Sequence, residues 1–224
     1  MTKTVTERLT SIRLHNVIPD VFSNEDIGCS QIWLNDFCFE RGRHYMVEAA
    51  SGSGKSSLCS FIYHNRDDYR GSIYYNDTDA RKLNSAEVCD LRCRRIALLP
   101  QELRLFGELN AIDNIKLKNR LTGYMSERKI EEMFERLGIA DRINHLASRL
   151  SIGQMQRVAI IRALCQPFDF ILLDEPVSHL DEVNNKVVGQ LIYDAAQNQG
   201  ASIIITSVGN RLILPTDDVI NVKL

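Results

Sequence analysis

No apolar run in this sequence approaches the roughly 20 residues that a bilayer-spanning helix needs, so the chain is not expected to insert into a membrane directly. Its start, Met1 to Arg8, lacks the apolar core of a signal peptide. Charge of one sign is also lacking. Twenty-seven Lys and Arg against 29 Asp and Glu leave a formal net charge of −2, which gives no electrostatic case for nucleic acid or an anionic surface. The six cysteines, Cys29, Cys38, Cys59, Cys89, Cys93 and Cys165, form no Cys-x-x-Cys pair. Cys89 and Cys93 lie four apart without a second ligand pair, so free thiols in a reducing cytoplasm are expected rather than a metal centre or disulfides. No histidine follows His179. Long linkers, internal repeats and low-complexity segments are absent too. What is there is an ordinary globular composition, 44% hydrophobic and 25% charged over 224 residues. That length suits one large α/β domain, or a core with a small lobe.

The opening third reads as strands over Ser11–Leu14 and Ile32–Phe39, with Gly42 as a turn. Tyr45–Ala49 is a short apolar strand, followed by a glycine-rich loop and a helix through Leu58 and Ile62. Gly71–Tyr75 and Arg95–Leu99 read as further strands. Ser126 caps a helix with Ile130, Met133, Phe134 and Leu137 on one face, stopped by Gly138. A second helix runs through Val158, Ile161 and Leu164. Phe168–Leu173 is apolar except for Asp169, as suits a central parallel strand covered on both faces. Val183, Val187, Val188, Leu191, Ile192 and Ala195 form a helical stripe, and Ala201–Thr206 and Val219–Val222 close the pattern. Strands alternating with helices imply an α/β core with a parallel sheet.

Three segments carry chemistry. In Ala49-Ala50-Ser51-Gly52-Ser53-Gly54-Lys55-Ser56-Ser57, glycines let backbone N–H groups approach phosphate oxygens, and the next helix adds its N-terminal dipole. Lys55 is expected on the β- and γ-phosphates and Ser56 on Mg²⁺. The strand ending Ile171-Leu172-Leu173-Asp174-Glu175-Pro176 presents two carboxylates: Asp174 for the metal, and Glu175 to take a proton from an attacking water. Leu150-Ser151-Ile152-Gly153-Gln154-Met155-Gln156-Arg157 opens a helix that Ser151 caps, with Gly153 offering an unobstructed N–H.

In this order the three segments resemble the nucleotide-binding subunit of ATP-binding-cassette (ABC) transporters, across nearly the whole chain. Leu105-Phe106-Gly107-Glu108-Leu109 and the length are similar to cassettes of the macrolide-export, lipoprotein-release and cell-division type. The resemblance implies a P-loop NTPase core with a mostly parallel sheet, an N-terminal antiparallel β lobe and an α-helical signature subdomain over about 85–165, all in one nucleotide-binding domain of residues 1–224. It implies Mg-ATP hydrolysis in a head-to-tail homodimer or cassette heterodimer. Ser151 and Gly153 of one chain would then meet the γ-phosphate held by the other. Gln101 matches the glutamine that senses Mg²⁺ and water, and Asp181 the aspartate of the loop Pro176–Asp181, in which His179 is a variable residue. Phe22 is a candidate for stacking on adenine. Phe106 and Leu109 are candidates for a groove that receives a transmembrane permease subunit, which would place the chain in the cytoplasm at the inner (plasma) membrane.

Three positions depart from the pattern. Ala49 replaces a glycine, at little cost if its backbone is extended and at a larger one if φ is positive. Ile152 replaces another glycine. Ser207 stands where a switch histidine is expected, and serine is shorter and carries no positive charge. The resemblance therefore implies slow hydrolysis with retained ATP binding. Two other readings stay open: a soluble ABC ATPase of an assembly system, and a catalytically weakened ATP-responsive interaction module.

Overall fold

A computed structural model describes residues 7–22, 29–178 and 180–224; His179 lies outside the described residues. Among the described residues, nine strands make two sheets. β1 (Ser11–Pro19), β2 (Asp36–Glu40), β4 (Tyr69–Tyr75) and β5 (Thr78–Asp79) form an antiparallel sheet in the order β2-β1-β4-β5. The second sheet is parallel, in the order β6-β7-β8-β3-β9, from β3 (His44–Glu48), β6 (Ile96–Leu99), β7 (Phe170–Asp174), β8 (Ser202–Ser207) and β9 (Val219–Lys223). The α-helices of the described residues are α1 (Lys55–Ile62), α2 (Ser85–Arg94), α3 (Ala111–Asn119), α4 (Glu127–Arg136), α5 (Ile152–Leu164) and α6 (Glu182–Gln197).

The unbroken apolar runs follow from burial on both faces of the parallel sheet. Along β7, Ile171 and Leu173 join a core with α5 and α6, while Phe170 and Leu172 join one shared with α1 and the antiparallel sheet. β8 divides in the same way, with Ile203 and Ile205 on the first side and Ile204 on the second. Asp169, which interrupts the run in sequence, precedes the strand. It is buried between Arg41 (3.1 Å) and Arg95 (3.4 Å) and accepts the Leu9 N–H at 2.8 Å. Such pairing is what makes a buried carboxylate tolerable.

Two local readings are corrected. The strand expected from Ile32 begins only at Asp36. Ser30 Oγ accepts the N–H groups of Ile32 (3.1 Å) and Trp33 (2.8 Å), and Leu34 takes φ 55°, so these residues form a turn that buries Trp33. Val183 leaves the α6 stripe. It is 74% exposed in the first turn, and the packed face is Asn185, Val188, Gly189, Leu191, Ile192 and Ala196. Gly189 lets α6 close on the segment after β8: a Cβ there would stand 1.9 Å from the Ile213 carbonyl oxygen. Gly189→Ala is expected to destabilise the fold by about 1–3 kcal/mol, read as a lower midpoint in chemical unfolding.

Candidate functional site

The carboxyl ends of β3 and β7 carry the site, where parallel sheets bind ligands. Between β3 and α1 the loop takes positive φ at Gly52 (82°) and Gly54 (94°). Gly54 provides no side-chain cap for α1, so the N–H groups of its first turn are left facing the loop. A Cβ at Gly54 would meet the rings of Phe22 at 3.1 Å and Trp33 at 3.2 Å, so the two aromatics wall the loop from one side. The Trp33 indole N–H also donates to the Ser53 carbonyl at 3.1 Å. Ala49 is outside the left-handed region and its N–H reaches the Ser207 carbonyl at 3.5 Å, so alanine is accommodated where a glycine was expected.

Lys55 is buried and donates to the Ala50 carbonyl at 2.8 Å and the Ala49 carbonyl at 3.4 Å. Its ammonium also lies 4.0 Å from Glu175 Oε1. Burial lowers the lysine below its ordinary pKa, while Glu175 and Asp174 oppose that shift. Glu175 sits at φ 49°, an uncommon conformation for a non-glycine residue, with its N–H donating to the Thr206 carbonyl at 3.2 Å. The Gln101 side-chain amide donates to Glu175 Oε2 at 3.3 Å. Asp174 is buried at the end of β7, and the Thr206 hydroxyl donates to its Oδ1 at 2.6 Å. An open pocket of about 280 Å³ is lined by Phe22, Ser51–Gly52, Gly54–Ser57, Gln101 and Glu175.

A profile described as ABC transporter matches residues 35–178, more than half of the chain. The chain belongs to the ABC transporter family. It is 33% identical over 187 residues to the macrolide export ATP-binding/permease protein MacB of a Shewanella species, which is 82% of this chain but 29% of that protein. It is 33% identical over 173 residues to the lipoprotein-releasing system ATP-binding protein LolD of Novosphingobium aromaticivorans, 76% of this chain and 77% of that one. The ATP-binding cassette MJ0796, solved as a dimer in a post-hydrolysis state with ADP and phosphate, superposes with a TM-score of 0.73 at 26% identity, covering 88% of this chain and 87% of that one. The chain thus spans less than a third of the length of the MacB relatives it matches.

This ABC chain places the other expected site residues elsewhere. Ser151, Gly153 and Asp181 do not line the pocket. Ser151 forms a capping box on α5: its Oγ accepts the Gln154 N–H at 3.3 Å and its N–H donates to Gln154 Oε1 at 2.9 Å. Asp181 caps α6, and hydrogen bonds from the Asn184 backbone and side chain hold its carboxyl below the usual carboxylate value. Arg157 ties the two helix starts together, donating to the Gly153 carbonyl at 3.2 Å and to Asn184 Oδ1 at 3.1 Å. Ser207 is buried and also outside the pocket lining, its hydroxyl donating to the Asn210 carbonyl at 2.6 Å. Sequence reasoning missed Trp33 and Thr206, and gave Arg157 no role beyond its place in the segment Leu150–Arg157. Only Trp33, the single tryptophan, carried a signal that could have marked it.

The residues fit a magnesium nucleotide. A glycine cradle, an uncapped helix start and a buried ammonium suit phosphates. The Ser56 hydroxyl, Gln101 amide and Asp174 carboxylate are the oxygen donors that Mg²⁺ prefers.

Proposed function

We propose that this chain binds and hydrolyses ATP as the cassette subunit of an ABC transporter. The observation that carries this reading is the convergence of Lys55 and Gln101 on Glu175 at the mouth of the phosphate loop. Glu175 accepts a proton from water as the water oxygen attacks the γ-phosphorus and the bond to the β-phosphate oxygen breaks. Gln101 holds that carboxylate in place, and Lys55 stabilises charge on the phosphates. Bound magnesium, held by Ser56, Gln101 and Asp174, would neutralise phosphate charge. Ser151 and Gly153 complete the partner's site in a head-to-tail dimer, on the helical subdomain of the same nucleotide-binding domain. Magnesium-dependent ATPase activity of the purified chain, lost in Glu175→Gln, tests the reading; a wild-type chain without such turnover would refute it, and equal activity in both proteins would place the base elsewhere.

A transmembrane partner turns dimer closure into movement. Its seat is a cleft of about 350 Å³ lined by Leu98, Pro100, Phe106, Leu117, Lys118 and Arg162 among others. Phe106 is 52% exposed there, while Leu109 is not part of the lining. No helix among the described residues is long and apolar enough to cross a membrane.

The inward turn of the Ser207 hydroxyl favours slow hydrolysis, since its donor is spent on Asn210. Ser207→His is expected to raise turnover by about 10-fold, less than the roughly 10²–10³-fold that a fully positioned donor contributes. A steady-state assay showing no increase would remove the missing histidine as the cause. The same observation keeps a second reading alive, a weakened ATP-responsive module that binds ATP tightly without useful turnover.

A further inference from the structure

Thr206 holds both acidic residues of the site at once. It is fully buried on β8, next to Asp174 of β7 in the parallel register, and on its other side it pairs with Val47 near the end of β3. Its hydroxyl donates to Asp174 Oδ1 at 2.6 Å, and its carbonyl accepts the Glu175 N–H at 3.2 Å. An aspartate carboxylate rotates broadly about its last torsion. A short bond from a buried hydroxyl removes that freedom and commits one oxygen to the protein.

We infer that Thr206 is a positioning residue for the metal: it fixes the rotation of the Asp174 carboxylate so that the other oxygen is presented to the magnesium of the bound nucleotide. The inference rests on the proposed Mg-ATP site. Partners of this kind, one bond behind a metal ligand, change metal affinity by roughly 10–100-fold when removed. The Glu175 contact uses the Thr206 backbone, so side-chain changes leave it in place.

The test is the affinity of the full chain for the non-hydrolysable analogue AMP-PNP, measured by calorimetry in excess magnesium and in excess EDTA. By linkage, the ratio of the two affinities reports how well the protein holds the metal. Thr206→Val removes the hydroxyl at nearly constant shape, and is expected to lower that ratio roughly 10-fold while leaving the EDTA affinity unchanged. Thr206→Ala should do the same without placing a new methyl beside Asp174. Thr206→Ser keeps the donor and should retain the wild-type ratio. A wild-type ratio in either Thr206→Val or Thr206→Ala overturns the inference, as does a serine variant that loses as much as valine. Wild-type protein that binds AMP-PNP equally in both conditions overturns the metal assignment and the inference with it. Wild-type protein that binds in neither overturns the nucleotide reading itself.

Discussion

Glu175→Gln is expected to reduce ATP turnover by roughly 10²–10⁴-fold, the range a positioned general base contributes, with nucleotide binding retained. Glutamine keeps the size of the side chain and its ability to accept the hydrogen bond from Gln101, which lies 3.3 Å away. It cannot take a proton from water. It also loses the ionic contact with Lys55 at 4.0 Å, which frees the ammonium for phosphate. An ATP-bound dimer should therefore accumulate, visible as an ATP-dependent shift in size-exclusion chromatography. A variant that turned over at the wild-type rate would place the base elsewhere. One that stayed monomeric in saturating ATP would contradict the composite site.

Lys55→Ala should act one step earlier, weakening ATP binding by about 100-fold or more in calorimetric titration. The estimate takes two charge-assisted hydrogen bonds at about 1.5–3 kcal/mol each, with tenfold in affinity for every 1.4 kcal/mol. Lys55 is 5% exposed and already anchored on the Ala50 carbonyl at 2.8 Å, so little ordering entropy opposes its move to a phosphate. Lys55→Arg should not restore affinity, because a planar fork does not replace a compact ammonium among loop carbonyls. Near-normal affinity in Lys55→Ala would mean that the loop backbone alone holds the nucleotide.

Local motifs were readable because local physics makes them. The glycine loop, the Ser126 and Ser151 caps and the apolar strands depend on neighbours within a few residues, and the sequence displays those neighbours. Resemblance added Gln101, Asp181 and the expectation of two sheets. The start of β2 was misread because Ser30, outside the apolar pattern, captures the N–H groups of Ile32 and Trp33. Helix α3 was not anticipated, since its buried side includes Asn114, which bonds the Phe106 backbone in both directions at 2.8 and 3.0 Å. The contacts of Thr206 and Arg157 escaped notice for another reason. They span 32 and 27 positions, and nothing near either residue in the chain announces a partner at that distance.

The strand order gives this protein a ruler. The phosphate loop leaves β3 and the carboxylate pair leaves β7, with only β8 between them. Two interstrand spacings, about 10 Å in all, therefore separate the two halves of the site. Backbone hydrogen bonds set that gauge, and side chains do not enter into it. Mutation can blunt the tools mounted at either end, but it cannot widen the bench. Any adjustment to a bulkier or smaller substrate has to come from the loops or from the opposing subunit.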